Sequence, residues 1–255
     1  MKGTCMKKLL RGIGITLFWL LVWHAASVAV HSALLLPSPA ATLSSLLRLM
    51  RQGSFWSATA YSILRISAGY ALAVMIGAAL GVLTAGSALF DALLRPVRSV
   101  LKATPVASFT LLMVLWLHSQ MVPVFAAFIM VLPLVWANVQ EGVRATDRNL
   151  LEMAGLFRFK WWKTLRLVYV PSILPGLLAA CATGLGFAWK AGVAAEVIAR
   201  TAESIGKSLV ESKNYLEIAD MFAWTAVMVA LSVLFERLLA GVFGRMQEKR
   251  KEGAA

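Results

Sequence analysis

Gly206-Lys207-Ser208 is how a phosphate-cradling loop ends, with backbone amides and a lysine closing on a nucleotide. That loop also needs a glycine five positions before Gly206; position 201 is Thr, so the spacing supplies no nucleotide site. His24, His31 and His118 have no serine or acid at a recognisable spacing, and no His-Glu-x-x-His occurs. Cys5 and Cys181 stand in a basic N-terminus and an apolar run, which gives neither a disulfide framework nor a metal spacing. A proton-driven carrier would want acids deep inside apolar segments, whereas Asp91, Glu196 and Glu236 fall at their edges. The sequence therefore offers no enzyme chemistry, no bound cofactor and no metal. What remains is positive charge in apolar surroundings. Lys190 is the clear case, and an ionisable residue in lipid is by default a functional candidate. It serves either as an anion-attracting group at a pore mouth or as a partner for an acid on another helix. Glu196 is a poor partner within one helix, because six residues leave it about 120° round the axis. Arg65 is a weaker version of the same idea.

The elements that position these residues belong in lipid. The chain has 255 residues, 60% hydrophobic and 15% charged, and its mean hydropathy of +0.76 excludes an ordinary water-soluble globule. A helix needs about 20 apolar residues to cross roughly 30 Å of hydrocarbon. Stretches 12–47, 66–90, 103–140, 167–189 and 221–235 contain no Lys, Arg, Asp or Glu. The third is too long for one crossing, and Trp116-Leu117-His118-Ser119-Gln120 divides it into a helix ending near Leu117 and another opening near Pro123. The expectation is an all-α membrane protein with six transmembrane helices over 12–243, preceded by a cytoplasmic segment 1–11 and followed by a cytoplasmic tail 244–255. The first apolar stretch, Ile13 to Leu36, exceeds the core of a cleaved signal peptide and reads as a span.

Lys and Arg outnumber Asp and Glu by 25 to 12, and the excess orients the spans. Cytoplasmic loops collect bases. With the N-terminus inside, 18 of the 25 fall on the cytoplasmic side, so both termini are expected there and the protein in the plasma (inner) membrane. No basic run with interleaved aromatics forms a nucleic-acid stripe. Gly69, Ala73, Gly77, Gly81 and Ala85 recur every fourth residue, and 179–195 is rich in Gly and Ala, so both helices are expected among other helices.

The inner loop at about 141–171 is too long for a turn. Asn149–Ala154 reads as one short helix, and Trp161–Leu167 as an amphipathic second with tryptophans at the membrane interface, before Pro171 and Pro175 bracket the return into the membrane. The loop either rests on headgroups or docks a cytoplasmic partner.

Asp147–Ala154, followed by Val168-Tyr169-Val170-Pro171 and Ile173-Leu174-Pro175-Gly176, resembles the EAA loop of permease subunits of ABC importers: Glu-Ala-Ala, three residues, Gly, nine residues, Ile-x-Leu-Pro. Glu152, Ala154 and Pro171 fall on that pattern, and Val168 and Val170 replace its Ile and Leu. Met153 replaces the first Ala and Arg158 stands at the turn glycine, with Gly155 three residues earlier as an alternative turn. Leu36-Pro37-Ser38-Pro39, Ala103–Ala107 and Gly184–Trp189 through Glu196 resemble the nitrate/sulfonate/taurine branch, extending the likeness over roughly Leu36 to Phe243. The resemblance implies a type I importer permease fold, working as a dimer, most simply of two copies, in membrane lipid. It also implies two cytoplasmic ABC ATPase subunits that bind the ATP, an external solute-binding protein, and a small anionic solute of sulfonate, nitrate or taurine type. A self-sufficient secondary carrier or channel is the alternative.

Overall fold

Small residues every fourth position dictate the central pair of helices. The computed structural model describes residues 2–32 and 34–252, and the side chains of 14–32, 34–238 and 241. In α1 (Lys2–Val30), α2 (Pro39–Met50) and α3 (Gly53–Gly86), the last carries Gly69, Ala73, Gly77 and Gly81 on its buried face. α2 starts on Ser38, whose hydroxyl accepts from the Ala41 amide at 3.2 Å, with Pro39 at its first turn. α4 (Ala88–Ala103) and α5 (Val106–Trp116) follow, then α6 (Val122–Arg144). α6 runs parallel to α3 in direct backbone approach: a Cβ on Gly77 would lie 3.1 Å from the Leu132 carbonyl oxygen, and one on Gly81 2.6 Å from Val139. A side chain at Gly81 would force a shift and one at Gly77 would crowd the neighbouring backbone, so small residues suit this approach.

α7 (Arg148–Leu156) leads to α8 (Trp161–Thr164), a π-helical turn Leu165–Tyr169, and α9 (Val170–Ala199), which returns antiparallel against α6 and α3. Ile66, Val131, Val135, Ala188 and Val193 fill the space between these three. α10 (Ile205–Asn214) and α11 (Ile218–Glu252) complete the chain; Trp224 stacks on Phe55 with ring centroids 4.9 Å apart, and Arg48 pairs with Asp220 at 2.5 Å.

Two expectations change. α3, α6, the continuous helix Trp161–Ala199 and α11 are each long and apolar enough to cross a membrane. The expected third crossing is not: α5 has 11 residues, about 16 Å of helix. It joins α4 at a bend of 103°, and only the pair together passes as one broken span. The described apolar part of α1, Gly14–Val30, is also short, so six is an upper count. Pro105 causes the bend, since it pushes Thr104 into extended backbone, φ −72° and ψ 123°, and ends α4 there.

The second correction concerns Trp161–Leu167, which is no separate interfacial helix but the first part of a 39-residue helix. Pro171 has no N–H, and its ring clashes with the carbonyl four residues back in a regular helix. The ladder widens just before it: the Val170 amide donates to the Leu165 carbonyl, five residues back. The chain passes the proline without breaking.

Candidate functional site

One end of the bundle, called here the hairpin end, gathers the turns after α3, α6 and α7. α7 begins on Asp147, whose carboxylate accepts from the Asn149 amide at 2.9 Å, and it buries Ala154 while Glu152, Met153 and Gly155 stay exposed. Its far end is a six-residue cap in which the Phe159 amide donates to the Ala154 carbonyl (2.9 Å) and the Arg158 amide to the Gly155 carbonyl (3.0 Å). Arg158 takes the left-handed conformation there, φ 49°, and no described glycine has a positive φ. The turn therefore stays at 158 rather than moving to Gly155, which is helical. A left-handed non-glycine residue costs about 1 kcal/mol or more, so Arg158→Gly should stabilise the hairpin by about that amount. Amide exchange of α7 would slow; faster exchange would show that the guanidinium holds the turn.

The outward side of the hairpin is apolar. Leu156 is 85% exposed, Phe157 70%, Trp161 71% and Trp162 63%. Val168 is buried in the π-helical turn, and Pro171 sits one turn further on.

Just inside the hairpin lies a cluster that sequence reading passed over as a span-edge acid. Asp91 on α4 is buried and accepts from Gln140 Nε2 (2.7 Å), Arg144 (3.0 Å) and Arg95 (3.2 Å), while Arg98 approaches to 4.0 Å and donates to Gln140 Oε1. α4 is amphipathic, and it brings Asp91, Arg95 and Arg98 to the hairpin end beside Gln140 and Arg144. Gln140 first and then Arg144 hold the Asp91 carboxyl far below its ordinary value of 3.8. Arg98 also lies over the Trp136 ring at 5.6 Å, and Trp136 donates to Thr84 Oγ1 at 2.8 Å. Arg144 ends α6, three residues before the Asp147 cap of α7, so this cluster ties the hairpin to α4.

Lys190 and Arg65 lie elsewhere and make no contact with each other among the described residues. Lys190 is exposed on α9, in line with Ala179, Thr183, Phe187 and Ala194, and no ion pair to it is found among the described residues. Arg65 lies over Tyr61 at 5.3 Å and donates to the Glu203 carbonyl at 3.0 Å, holding the turn between α9 and α10. Just before that turn, in the last part of α9, Glu196 is fully buried and accepts from Ser62 (2.9 Å) and the Gly206 amide (3.1 Å). A Cβ on Gly206 would strike Glu196 and the Val197 nitrogen. The glycine of Gly206-Lys207-Ser208 serves close helix approach, not phosphate.

Known proteins resemble this chain in sequence and in fold. Residues 73–253 match the family described as binding-protein-dependent transport system inner membrane component. A putative aliphatic sulfonates transport permease of Bacillus subtilis (strain 168) is 27% identical over 239 residues, 92% of this chain and 85% of that one. A bicarbonate transport system permease of Synechococcus elongatus is 26% identical over 190 residues, 74% of this chain and 68% of that one. The fold resembles a chain from the crystal structure of an amino acid ABC transporter with histidines, at TM-score 0.62 and 15% identity, over 80% of this chain and 97% of that one. The chain belongs to the family of binding-protein-dependent transport system inner membrane components, a membrane permease component of ABC transporters and not an enzyme.

Proposed function

We propose that the chain is the permease of an ATP-driven importer, in which two copies pair in the lipid bilayer and receive a small anionic solute from an external binding protein. Two ABC ATPase subunits on the cytoplasmic face bind the ATP and grip α7. The hairpin end and both termini are cytoplasmic in this reading, which agrees with the excess of Lys and Arg at that end. The solute class rests on relatives named for aliphatic sulfonates and bicarbonate, both anions, and on the exposed cation Lys190 at the end away from the hairpin.

The observation that carries the proposal is the apolar hairpin tip. Leu156 and Phe157 project from a capped turn beside exposed Glu152, and a patch of this kind on a rigid loop marks an interface. Resting on headgroups would suit Trp161 and Trp162, but it would not need Glu152 next to Leu156. Val168 is buried and the π-helical turn carries the helix past Pro171, so in this reading force on the hairpin reaches α9 along the continuous helix Trp161–Ala199.

Apolar anchors of such an interface contribute about 2 kcal/mol or more each, roughly 30-fold in affinity. Leu156→Asp with Phe157→Asp should therefore strip the ATPase from the purified complex, and Glu152→Ala should weaken ATPase attachment or coupling more modestly. Co-purification on an affinity-tagged permease measures both. Retention of the ATPase by the double variant, or uphill uptake by the chain alone in vesicles, would favour a self-sufficient carrier.

A further inference from the structure

The bend between α4 and α5 opens a cavity of about 550 Å³. Its walls come from the end of α4, the first turns of α5, the middle of α6 and Phe187 of α9. That volume is within the range of small-molecule sites, roughly 300–1,000 Å³. Most of the lining is apolar, including Leu101, Phe109, Ile129, Met130 and Phe187. The one charged side chain in the lining is a cation. Lys102 stands at the hairpin side of the cavity, and Asn138 and Thr104 lie near it. α5 starts there on Pro105, which offers no side-chain cap, so the amides of its first turn have no acceptor within the helix. Those amides carry the positive end of the helix dipole. No Asp or Glu is among the lining residues.

A second cavity, about 540 Å³, continues from the first through the shared residues Lys102 and Ala137. Arg98, Arg144, Gln140 and one acid, Glu141, line it, so it leads toward the hairpin end along a mostly positive wall. Phe187 is one helical turn from Lys190, which lies on the side away from the hairpin. An anion is thus met by a cation before the cavity, within it and after it.

We propose that the cavity at the α4–α5 bend is the chamber that holds the solute during passage, and that it takes a small organic monoanion with an apolar tail. The head group sits at Lys102 and the first-turn amides of α5; the tail lies between Phe109, Ile129, Met130 and Phe187. This rests on the permease reading and narrows it. A zwitterion is disfavoured, because its ammonium finds no carboxylate among the lining residues. A compact inorganic anion is disfavoured too, because apolar walls leave most of its oxygens without donors.

The test uses the full chain bound to its ATPase partner in lipid nanodiscs, with radiolabelled butanesulfonate as probe and taurine and inorganic sulfate as competitors. Butanesulfonate should bind, and taurine and sulfate should compete at least about tenfold less well than unlabelled butanesulfonate. Loss of a charged hydrogen bond corresponds to about tenfold or more in affinity. Lys102→Met should weaken binding by that factor, Lys102→Arg should retain it, and Lys213→Met on α10 should leave it unchanged. Absence of butanesulfonate binding, equal competition by taurine or sulfate, or undiminished binding by Lys102→Met overturns the chamber. Co-purification of the ATPase, scored in the same preparation, is independent: if it persists while Lys102→Met binds normally, the chamber fails and the permease reading stands.

Discussion

Gly69→Val leaves little or no folded protein to extract. A Cβ at Gly69 would fall on the carbonyl oxygen of Val124, with the Val124 carbonyl carbon at 3.0 Å and the Ala127 Cβ at 3.1 Å. What it meets is backbone, which cannot rotate away as a side chain would. α3 and α6 are held in that register by Gly77 and Gly81 as well, so relieving the clash means separating the two helices along much of their length. Overpacking a well-packed interior costs about 1–3 kcal/mol even where neighbours can adjust. Against a total stability of about 5–15 kcal/mol, prying apart the central pair exceeds what the fold tolerates. The measurement is the monodisperse fraction after mild detergent extraction, with a tryptophan-fluorescence melting scan on whatever survives. Gly53→Ala, where nothing lies within 4 Å, is the control and should behave like the parent. A well-folded Gly69→Val protein would mean that α3 and α6 do not touch as described.

The glycine stripe was legible because close helix approach in lipid has a simple period, and the residues that make it are the ones buried against α6. The fold class and the hairpin were legible for similar reasons: length of apolar run, and a polar residue able to start a short helix, although the cap is Asp147 where Asn149 was the expected one. Crossing geometry was not. An apolar stretch says that a segment can lie in lipid, but 103–117 gives no sign that its α5 portion is half a span set at 103° to α4. Pro171 misled in the other direction. Proline reads as a stop, yet a π-helical turn carried the helix past it. Arg158 shows the same limit at the residue level: a missing glycine suggested a shifted turn, while the backbone kept the turn and accepted the strain.

Polar clusters were the least legible of all, because their members are distant in sequence. Glu196 finds Ser62 and Gly206 only when α3, α9 and α10 have assembled. The chamber at the bend likewise needs four elements before Lys102 faces Phe187 across it. Asp91 meets Gln140 and Arg144 from another helix, although a sequence signal existed. It is an acid with arginines four and seven residues on, in a protein whose hairpin side is otherwise rich in bases.

That cluster carries the second large effect: Asp91→Asn should uncouple transport from ATP hydrolysis while the ATPase stays attached. Asparagine keeps the shape and can still accept from Gln140, but it removes the charge that holds Arg95, Arg98 and Arg144 around one point. Arg144 is the last residue of α6 before the hairpin, and α4 leads directly into the bend at Thr104-Pro105. If movement at α7 is carried to α5 along that path, loosening Asp91 should let the hairpin move without carrying α4. Coupling between separated sites is typically worth roughly 5- to 150-fold, so solute moved per ATP should fall within that range, with ATPase co-purification unchanged. The charge is also the reason that pH should not imitate the variant. A carboxyl whose pKa is lowered in the fold contributes fully above its ordinary value of 3.8, and the contribution is lost only as pH falls through the still lower folded value. Between about pH 5 and pH 8 the latch stays closed, and coupling in the parent should be flat with respect to this group. Gln140→Leu removes the shortest hydrogen bond to Asp91 without touching a charge, and should give a smaller loss in the same direction. If Asp91→Asn moved as much solute per ATP as the parent, the cluster would be a staple holding α4 in place, and force would have to reach the bend through α9 alone.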